Sequence, residues 1–334
     1  MRCGSRLSAL ASLVVLWGGA AGAAPPSLHL PVACALPEAC YVQNYVDADP
    51  GPGASDQTCG PLSYDGHDAV DIAVPTLAAM RRGVAVLAAA PGRVKALRDG
   101  MADRIMTDPD DPALKGREAG NGVVLDHGDG WETQYSHLRE GSVAVEVGQE
   151  VAAGERLGEI GLSGRSVFPH LELQVRHRGQ AVDPYTGLPP GAGCGRAAQG
   201  LWSPAAARSL AYVGAGFLDA GFLGQVPKAA TAWRGGYRGA GVAAEDPVLV
   251  FWIGGWGLRA GDREELRLWG PDGTLLAEHQ GVAEADKARF FRFLGKRRGT
   301  EPWPAGRYRA EFLLHRPGGG RIIAVTREHA LSPR

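Results

Sequence analysis

The sequence has no surplus of charge. Its 35 lysines and arginines are balanced by 36 aspartates and glutamates, a net charge of −1. A chain so balanced exerts no general attraction on nucleic acid or anionic lipid, so neither is expected as a partner. Long apolar runs are also missing. Beyond residue 23 no stretch reaches the roughly 18–20 residues that span a bilayer, so no membrane span is expected in the mature chain. Cysteines are few, five in 334 residues. None forms a Cys-x-x-Cys pair, which counts against a cysteine-rich zinc site. Long helical patterns are absent too, and the 49 glycines and 23 prolines favour short strands and tight turns.

What is present begins with a leader. Arg2 and Arg6 precede an apolar centre from Leu7 to Trp17, followed by the small residues Ala21-Gly22-Ala23. This is the layout of a secretory signal peptide, with an apolar centre too short for a membrane anchor. The protein is therefore expected to be exported, periplasmic or extracellular. Cleavage after Ala23 removes Cys3 and leaves Cys34, Cys40, Cys59 and Cys194. An even count in an exported chain reads as disulfides, with three pairings open. Cys34–Cys40, closing a small loop, and Cys59–Cys194, clasping the ends of the central region, are the favoured pair.

Four further segments follow the signal peptide at residues 1–23. Residues 24–60, rich in Pro, Gly and Asp, read as an irregular arm held by disulfides and without a core of its own. Residues 61–200 carry short alternating segments punctuated by turns: Val70–Val74, Gly83–Ala90, Arg93–Leu97, Val123–Asp126, Glu132–His137, Gln149–Val151, Arg156–Ile160 and His170–Arg176. Strands at this spacing without long helices predict an antiparallel, all-β domain. Asp99 to Gly120 departs from the rhythm and reads as a solvated acidic loop. Residues 201–213 are a linker or short helix. Residues 214–334 hold six further alternating segments, which predict a small β-sandwich of immunoglobulin-like outline. Trp252 and Trp256 are expected in its core, and His279, His315 and His329 carry no catalytic pattern.

The ionisable residues of the central region stand out against this apolar background. His67 and Asp71 lie four apart across a bend entering a strand. His170 and Glu172 share one strand face, and alternation places Tyr135 and His137 together on another. Buried charges need partners. A single divalent ion gathering His67, Asp71, His137, His170 and Glu172 would satisfy them all, and such nitrogen and oxygen donors suit zinc with an open position for water. His127 reads as a structural strand-end histidine, and His177 falls on the opposite face from His170.

At these residues the chain resembles the lysostaphin-like zinc endopeptidases, which cut peptide bridges in bacterial cell walls. The matching pieces are His67-Asp68-Ala69-Val70-Asp71, then Gly122 to Leu138 with Tyr135-Ser136-His137-Leu138, and Pro169-His170-Leu171-Glu172. Pro91-Gly92-Arg93-Val94 and Val182-Asp183-Pro184 also match, so the resemblance covers about residues 61–187. It implies that His67 and Asp71 hold zinc. It also implies that His137 and His170 stay unligated for proton work and oxyanion stabilisation, and that Tyr135 shapes the pocket. Glu172 stands where the family has its third metal ligand, a histidine. A carboxylate can take that place, but it weakens the Lewis acid and leans toward harder ions such as manganese. Two readings follow. One is an active zinc endopeptidase acting on peptidoglycan peptides. The other is a degenerate module that binds peptidoglycan or activates a partner cell-wall amidase.

Overall fold

Alternating segments bounded by Gly and Pro fold into strands throughout. The computed structural model describes residues 24–196 and 199–332, so the expected signal peptide lies outside the described residues. The first sheet contains β1 (Tyr41–Asn44), β2 (Val70–Ala73), β4 (Gly92–Arg98), β5 (Asn121–Asp126), β6 (Trp131–Leu138), β7 (Glu150–Val151) and β9 (His170–His177). Their order across the sheet is β1-β2-β9-β6-β5-β4-β7, with β10 (Gln180–Ala181) on β9. Between these, β3 (Ala85–Leu87) and β8 (Arg156–Glu159) form a separate antiparallel pair. The fold is mostly β, as expected.

Register divides the sheet into two faces. Val70 pairs with Leu173, which pairs with Tyr135 on its other side. These residues and Ile72, Leu171, Val123 and Leu125 are fully buried in one apolar cluster. Asp71 pairs with Glu172, which pairs with Ser136, so these three occupy the opposite face. One face of the sheet thus buries the core and the other carries the ionisable groups.

The arm differs from expectation. It contributes β1, an edge strand paired antiparallel to β2, and Tyr41 and Tyr45 are buried in the main cluster. The physical reason is the apolar run at Tyr41–Val46, which closes the sheet edge beside β2. Both favoured disulfides, Cys34–Cys40 and Cys59–Cys194, are formed. The acidic loop is exposed or half-buried throughout residues 99–119, as expected of a solvated loop, but two of its acids are tethered. Asp99 accepts from the Gly141 and Val143 amides, and Asp103 from Leu162 and Glu140. These acids tie the loop to the segments that follow β6 and β8. A short helix not read from the sequence, α1 (Leu77–Arg81), follows β2, capped by the Thr76 hydroxyl accepting from Ala79 N.

After α2 (Pro204–Ser209) come two more sheets. Strands β11 (Gly216–Leu223), β12 (Val248–Leu258) and β15 (Lys287–Arg297) form one, in that order. The other has the order β14-β13-β16-β17, with β13 (Arg263–Trp269), β14 (Leu275–Val282), β16 (Gly306–Arg316) and β17 (Gly320–Leu331). Phe251 and Phe290 from the first share a core with Leu266, Phe312 and Leu314 from the second. Trp252 and Trp256 are both buried, but outside this core: Trp252 packs with Leu223, Ala232 and Tyr237, and Trp256 joins the core of the first sheet. The segment Gly216–Leu223 and α3 (Ala229–Trp233) escaped the sequence reading, because glycine interrupts the one and the other is a single short turn.

Cys59 and Cys194 close a loop of 135 residues around the first sheet. Cys59→Ser with Cys194→Ser should lower unfolding stability by up to about 5 kcal/mol, read as a fall in the urea midpoint. An unchanged midpoint would mean that the clasp constrains nothing.

Candidate metal centre

Local folding explains how each ionisable group reaches the centre. His67 sits at the end of a turn in which its amide donates to Tyr64 O (3.0 Å). Asp47 stabilises that turn by accepting from Gly66 N through Oδ2, while Asp47 N donates to His67 O. Gly66 takes φ +76°, a left-handed conformation that favours glycine. The turn lays His67 over the start of β2, where Asp71 projects. Next to it β9 presents Glu172 opposite Asp71 and His170 opposite Ala73.

His137 arrives by a different route. Strict alternation would put it on the core face with Tyr135. Pairing between β5 and β6 slips, however: Asn121 faces Leu138 while Val123 faces Tyr135. An extra residue is accommodated there as a bulge, and His137 adopts φ +61°. Gly122 permits it, since a Cβ there would lie 2.5 Å from Tyr135 O. The bulge turns His137 onto the face of Ser136 and Glu172. The expectation that Tyr135 and His137 share a face is therefore corrected. Tyr135 points the other way, fully buried, with its hydroxyl accepting from Ala89 N (2.7 Å) and Thr133 Oγ1 (3.1 Å). It shapes the sheet from beneath and does not line the centre.

Four of the five expected groups thus lie on one face, with His67 folded over it. Asp71 Oδ1 is 3.5 Å from His67 Nε2 and 3.5 Å from His170 Nε2. His137 Nε2 is 3.4 Å from Glu172 Oε2. Donor atoms of His137, His170 and Glu172 all lie within 4.8 Å of one another, which makes these three a candidate metal-binding group. His67, Asp71, His137 and His170 are all buried. Asp71 Oδ1 and His67 Nε2 have no hydrogen-bond partner. Leaving such atoms unsatisfied is costly, and a cation between them removes the cost. The spacing fits as well: two donors about 2.1 Å from a tetrahedral ion stand about 3.4 Å apart.

The surroundings orient these donors. Asn44 Nδ2 donates to Asp71 Oδ2 (2.7 Å), leaving Oδ1 for the centre. His137 Nδ1 donates to Ser163 O (2.7 Å) and His170 Nδ1 to Phe168 O (2.9 Å). A carbonyl only accepts, so each Nδ1 carries the proton and each Nε2 faces the centre. Tyr64, half exposed at the rim, packs its ring 4.3 Å from His67. Burial and then the Asp71 and Glu172 carboxylates raise its pKa. Sequence reasoning missed Asn44, Tyr64, Ser163 and Phe168, none of which belongs to a spacing pattern. Along the same face a groove of about 190 Å³ runs past Ser136 over Ala96, Val124 and Gln134.

Outside this centre three histidines make structural contacts. His127 bridges Pro91 O (2.6 Å) and Thr133 Oγ1 (2.8 Å). His177 stacks on Trp131, and His329 Nε2 contacts the Val242 backbone.

Residues 65–184 match the model of peptidase family M23. This stretch of the chain belongs to that family. The M23 region resembles the DD-carboxypeptidase/endopeptidase Mpg of Neisseria meningitidis, at 42% identity over 73 residues, covering 21% of this chain and 16% of the relative. It is also 42% identical over 65 residues to the peptidoglycan DD-endopeptidase ShyA of Vibrio cholerae, covering 20% of this chain and 15% of that one. The similarity therefore spans about a sixth of these relatives' length. Among solved structures, a zinc-containing peptidase from Vibrio cholerae aligns at 23% identity, with a TM-score of 0.33, over 48% of this chain and 39% of that one.

Electrostatics separates His137 from His170. Burial works against a charged His137, but the Glu172 carboxylate outweighs it and raises the pKa. Burial lowers that of His170, only partly offset by Asp71. Burial would raise the Glu172 pKa, but the His137 contact holds it below the usual carboxylate range. In metal-free protein His137 should keep its proton above the ordinary imidazole value of about 6.5, and His170 should lose its proton below that value. Between the two, His137 is charged and His170 neutral. Titration of the ring signals by NMR checks this, and the reverse order would contradict it.

Proposed function

We propose that the chain is an exported, zinc-dependent endopeptidase that hydrolyses peptide bonds in bacterial cell-wall peptidoglycan. The observation that carries this reading is the pair of buried, unpartnered atoms His67 Nε2 and Asp71 Oδ1, held 3.5 Å apart inside the M23 region. Relatives named as peptidoglycan endopeptidases support the substrate class. Two disulfides support export, because such bonds persist in oxidising compartments. Among the described residues no helix is long and apolar enough to cross a membrane.

In this reading His67 and Asp71 hold the ion and Glu172 supplies the third donor. Zinc, when bound, polarises the scissile carbonyl and lowers the pKa of its water toward about 7. The chain's own residues do the rest. Asn44 fixes the Asp71 carboxylate so that Oδ1 faces inward. His137 and His170 have Nδ1–H anchored on backbone carbonyls, which leaves Nε2 to take a proton from water and return it to the leaving amine. Protonated, the same nitrogens stabilise the oxyanion. The groove along β5 and β6 accommodates an extended peptide beside Ser136.

Glu172 sets the strength of this centre. Two carboxylates cancel the formal charge of a divalent ion, whereas two histidines and one aspartate leave one positive charge. The centre is accordingly a weaker Lewis acid, and manganese becomes a competitor for zinc. A second reading rests on one observation: Glu172 already pairs with His137 at 3.4 Å, so the third donor is engaged without metal. That arrangement suits a silent module that binds peptidoglycan or a partner cell-wall enzyme.

Metal analysis decides between them. One equivalent of divalent metal per chain is expected after supplementation, and substoichiometric metal would favour the silent module. Asn44→Ala should weaken metal binding 10- to 100-fold, roughly as for other residues that orient a ligand, measured by chelator competition. His170→Ala should abolish cleavage of peptidoglycan peptides with metal retained. Wild-type turnover from that variant would remove His170 from the mechanism.

A further inference from the structure

The sandwich packs beside the centre. Tyr41 pairs with Ala73, which places it on the same face of the sheet as Asp71 and His170. Trp256 of the sandwich stacks on Tyr41 with ring centroids 5.0 Å apart. The sandwich thus docks on the face that carries the centre. Beside this contact Arg289, on β15, extends out of its own sandwich. Its Nη2 donates to Pro75 O (2.7 Å), just past the end of β2. Its guanidinium carbon lies 5.8 Å from the Phe168 ring, just before the start of β9, and 4.9 Å from the Trp233 ring.

Phe168 is the link to chemistry. Its carbonyl accepts from His170 Nδ1, and its ring lies 4.6 Å from the His170 ring. Between them Val74 N donates to Pro169 O, closing the ladder where β2 ends and β9 begins. Arg289 therefore touches the residues flanking both strands that present the centre, at their shared end. On the sandwich side Trp233 is backed by Phe291 at 5.9 Å, and Phe291 by Trp252 at 5.8 Å. The guanidinium is held between one ring of the M23 region and a braced stack of sandwich rings.

We propose that Arg289 is a positioning residue, which fixes the orientation of His170 by clamping Phe168 and Pro75 from the sandwich. Arg289 forms no salt bridge among the described residues, and its Nε is buried without a partner. A burial of that kind contributes poorly to stability. Its neighbour Arg292, on the other face of β15, shows the contrast: it donates to Glu264 Oε2 through both Nε (3.0 Å) and Nη2 (2.9 Å), wholly within the sandwich. What Arg289 secures is the relation between the two units. A planar guanidinium donates in its plane and stacks through its faces, so it can hold a carbonyl and two rings at once.

The effect on turnover rests on the proposed peptidase activity, but the effect on His170 does not. The test uses the full chain, metal-free, with His170 ring signals assigned by NMR through His170→Gln. Arg289→Ala should shift the His170 ring signals, while Arg292→Ala should lower the melting temperature and leave them in place. Arg289→Lys, which keeps the charge and loses the planar fork, should give an intermediate shift. In active protein Arg289→Ala should lower kcat several-fold with KM little changed. Trp233→Leu provides a second route should Arg289→Ala not fold, and should shift the same signals in the same direction. Unmoved His170 signals in Arg289→Ala, or an equal shift in Arg292→Ala, would overturn the proposal. A wild-type chain without turnover would sink the peptidase reading and leave the ring-signal result to decide this one.

Discussion

The antiparallel pairing of β2 with β9 is the constraint on which the rest of the structure depends. Its register sets Asp71 against Glu172 and Ala73 against His170. The same register sets Val70 against Leu173 and Ile72 against Leu171 on the other face, all fully buried. A slip of one residue would turn the carboxylates into the apolar core and the leucines onto the polar face. Burial of four aliphatic side chains therefore enforces the juxtaposition of ionisable ones. The energy that holds the centre together comes from the face of the sheet that takes no part in its chemistry.

That coupling explains how far the sequence could be read. Period-two alternation around His170-Leu171-Glu172 and Val70-Asp71-Ile72 sorts each residue onto its face, because both segments are regular strands half buried against one core. The disulfide pairing was favoured but not decided by the cysteine spacing, since three pairings stood open. The failure at Tyr135 and His137 has a local cause. A bulge depends on where β5 pairs with β6, and no pattern within β6 announces the slip. Gly122 was its one trace, a residue small enough to let the displaced backbone approach. Asn44 and Phe168 were hidden for a related reason. Their roles come from the edge strand and from a backbone carbonyl, and neither contact leaves a spacing signature. The tethering of the acidic loop belongs to the same class, since Asp99 and Asp103 bind amides some forty to sixty residues away.

The centre holds its ionisable groups in two coupled sets. Asp71 lies between two histidines, and Glu172 pairs with a third. The division is electrostatically sensible in a buried site. Two adjacent carboxylates on neighbouring strands repel each other, and each is compensated by facing imidazoles. Hydrogen bonding is less complete. Among the described residues Asp71 Oδ1 and His67 Nε2 have no hydrogen-bond partner, whereas Nδ1 of His137 and of His170 is held by a backbone carbonyl. These two open atoms are where a cation would relieve the unmet need. If Glu172 serves as a ligand there, binding must draw its carboxylate from the contact it already makes with His137.

This gives the sandwich a physical role beside the M23 region. Strand ends are where a sheet frays, and β2 and β9 present His170 near their shared end. Beyond the paired residues the β2–β9 ladder continues through the bond from Val74 N to Pro169 O, and the His170 amide donates to Gly161 O. The sandwich covers this end with Trp256 on Tyr41 and Arg289 across Pro75 and Phe168. Rigidity at a site is supplied by what packs behind it, and small displacements of a proton-transferring group cost rate steeply. A unit packed against a strand end can in this way bear on how firmly its neighbour holds one imidazole.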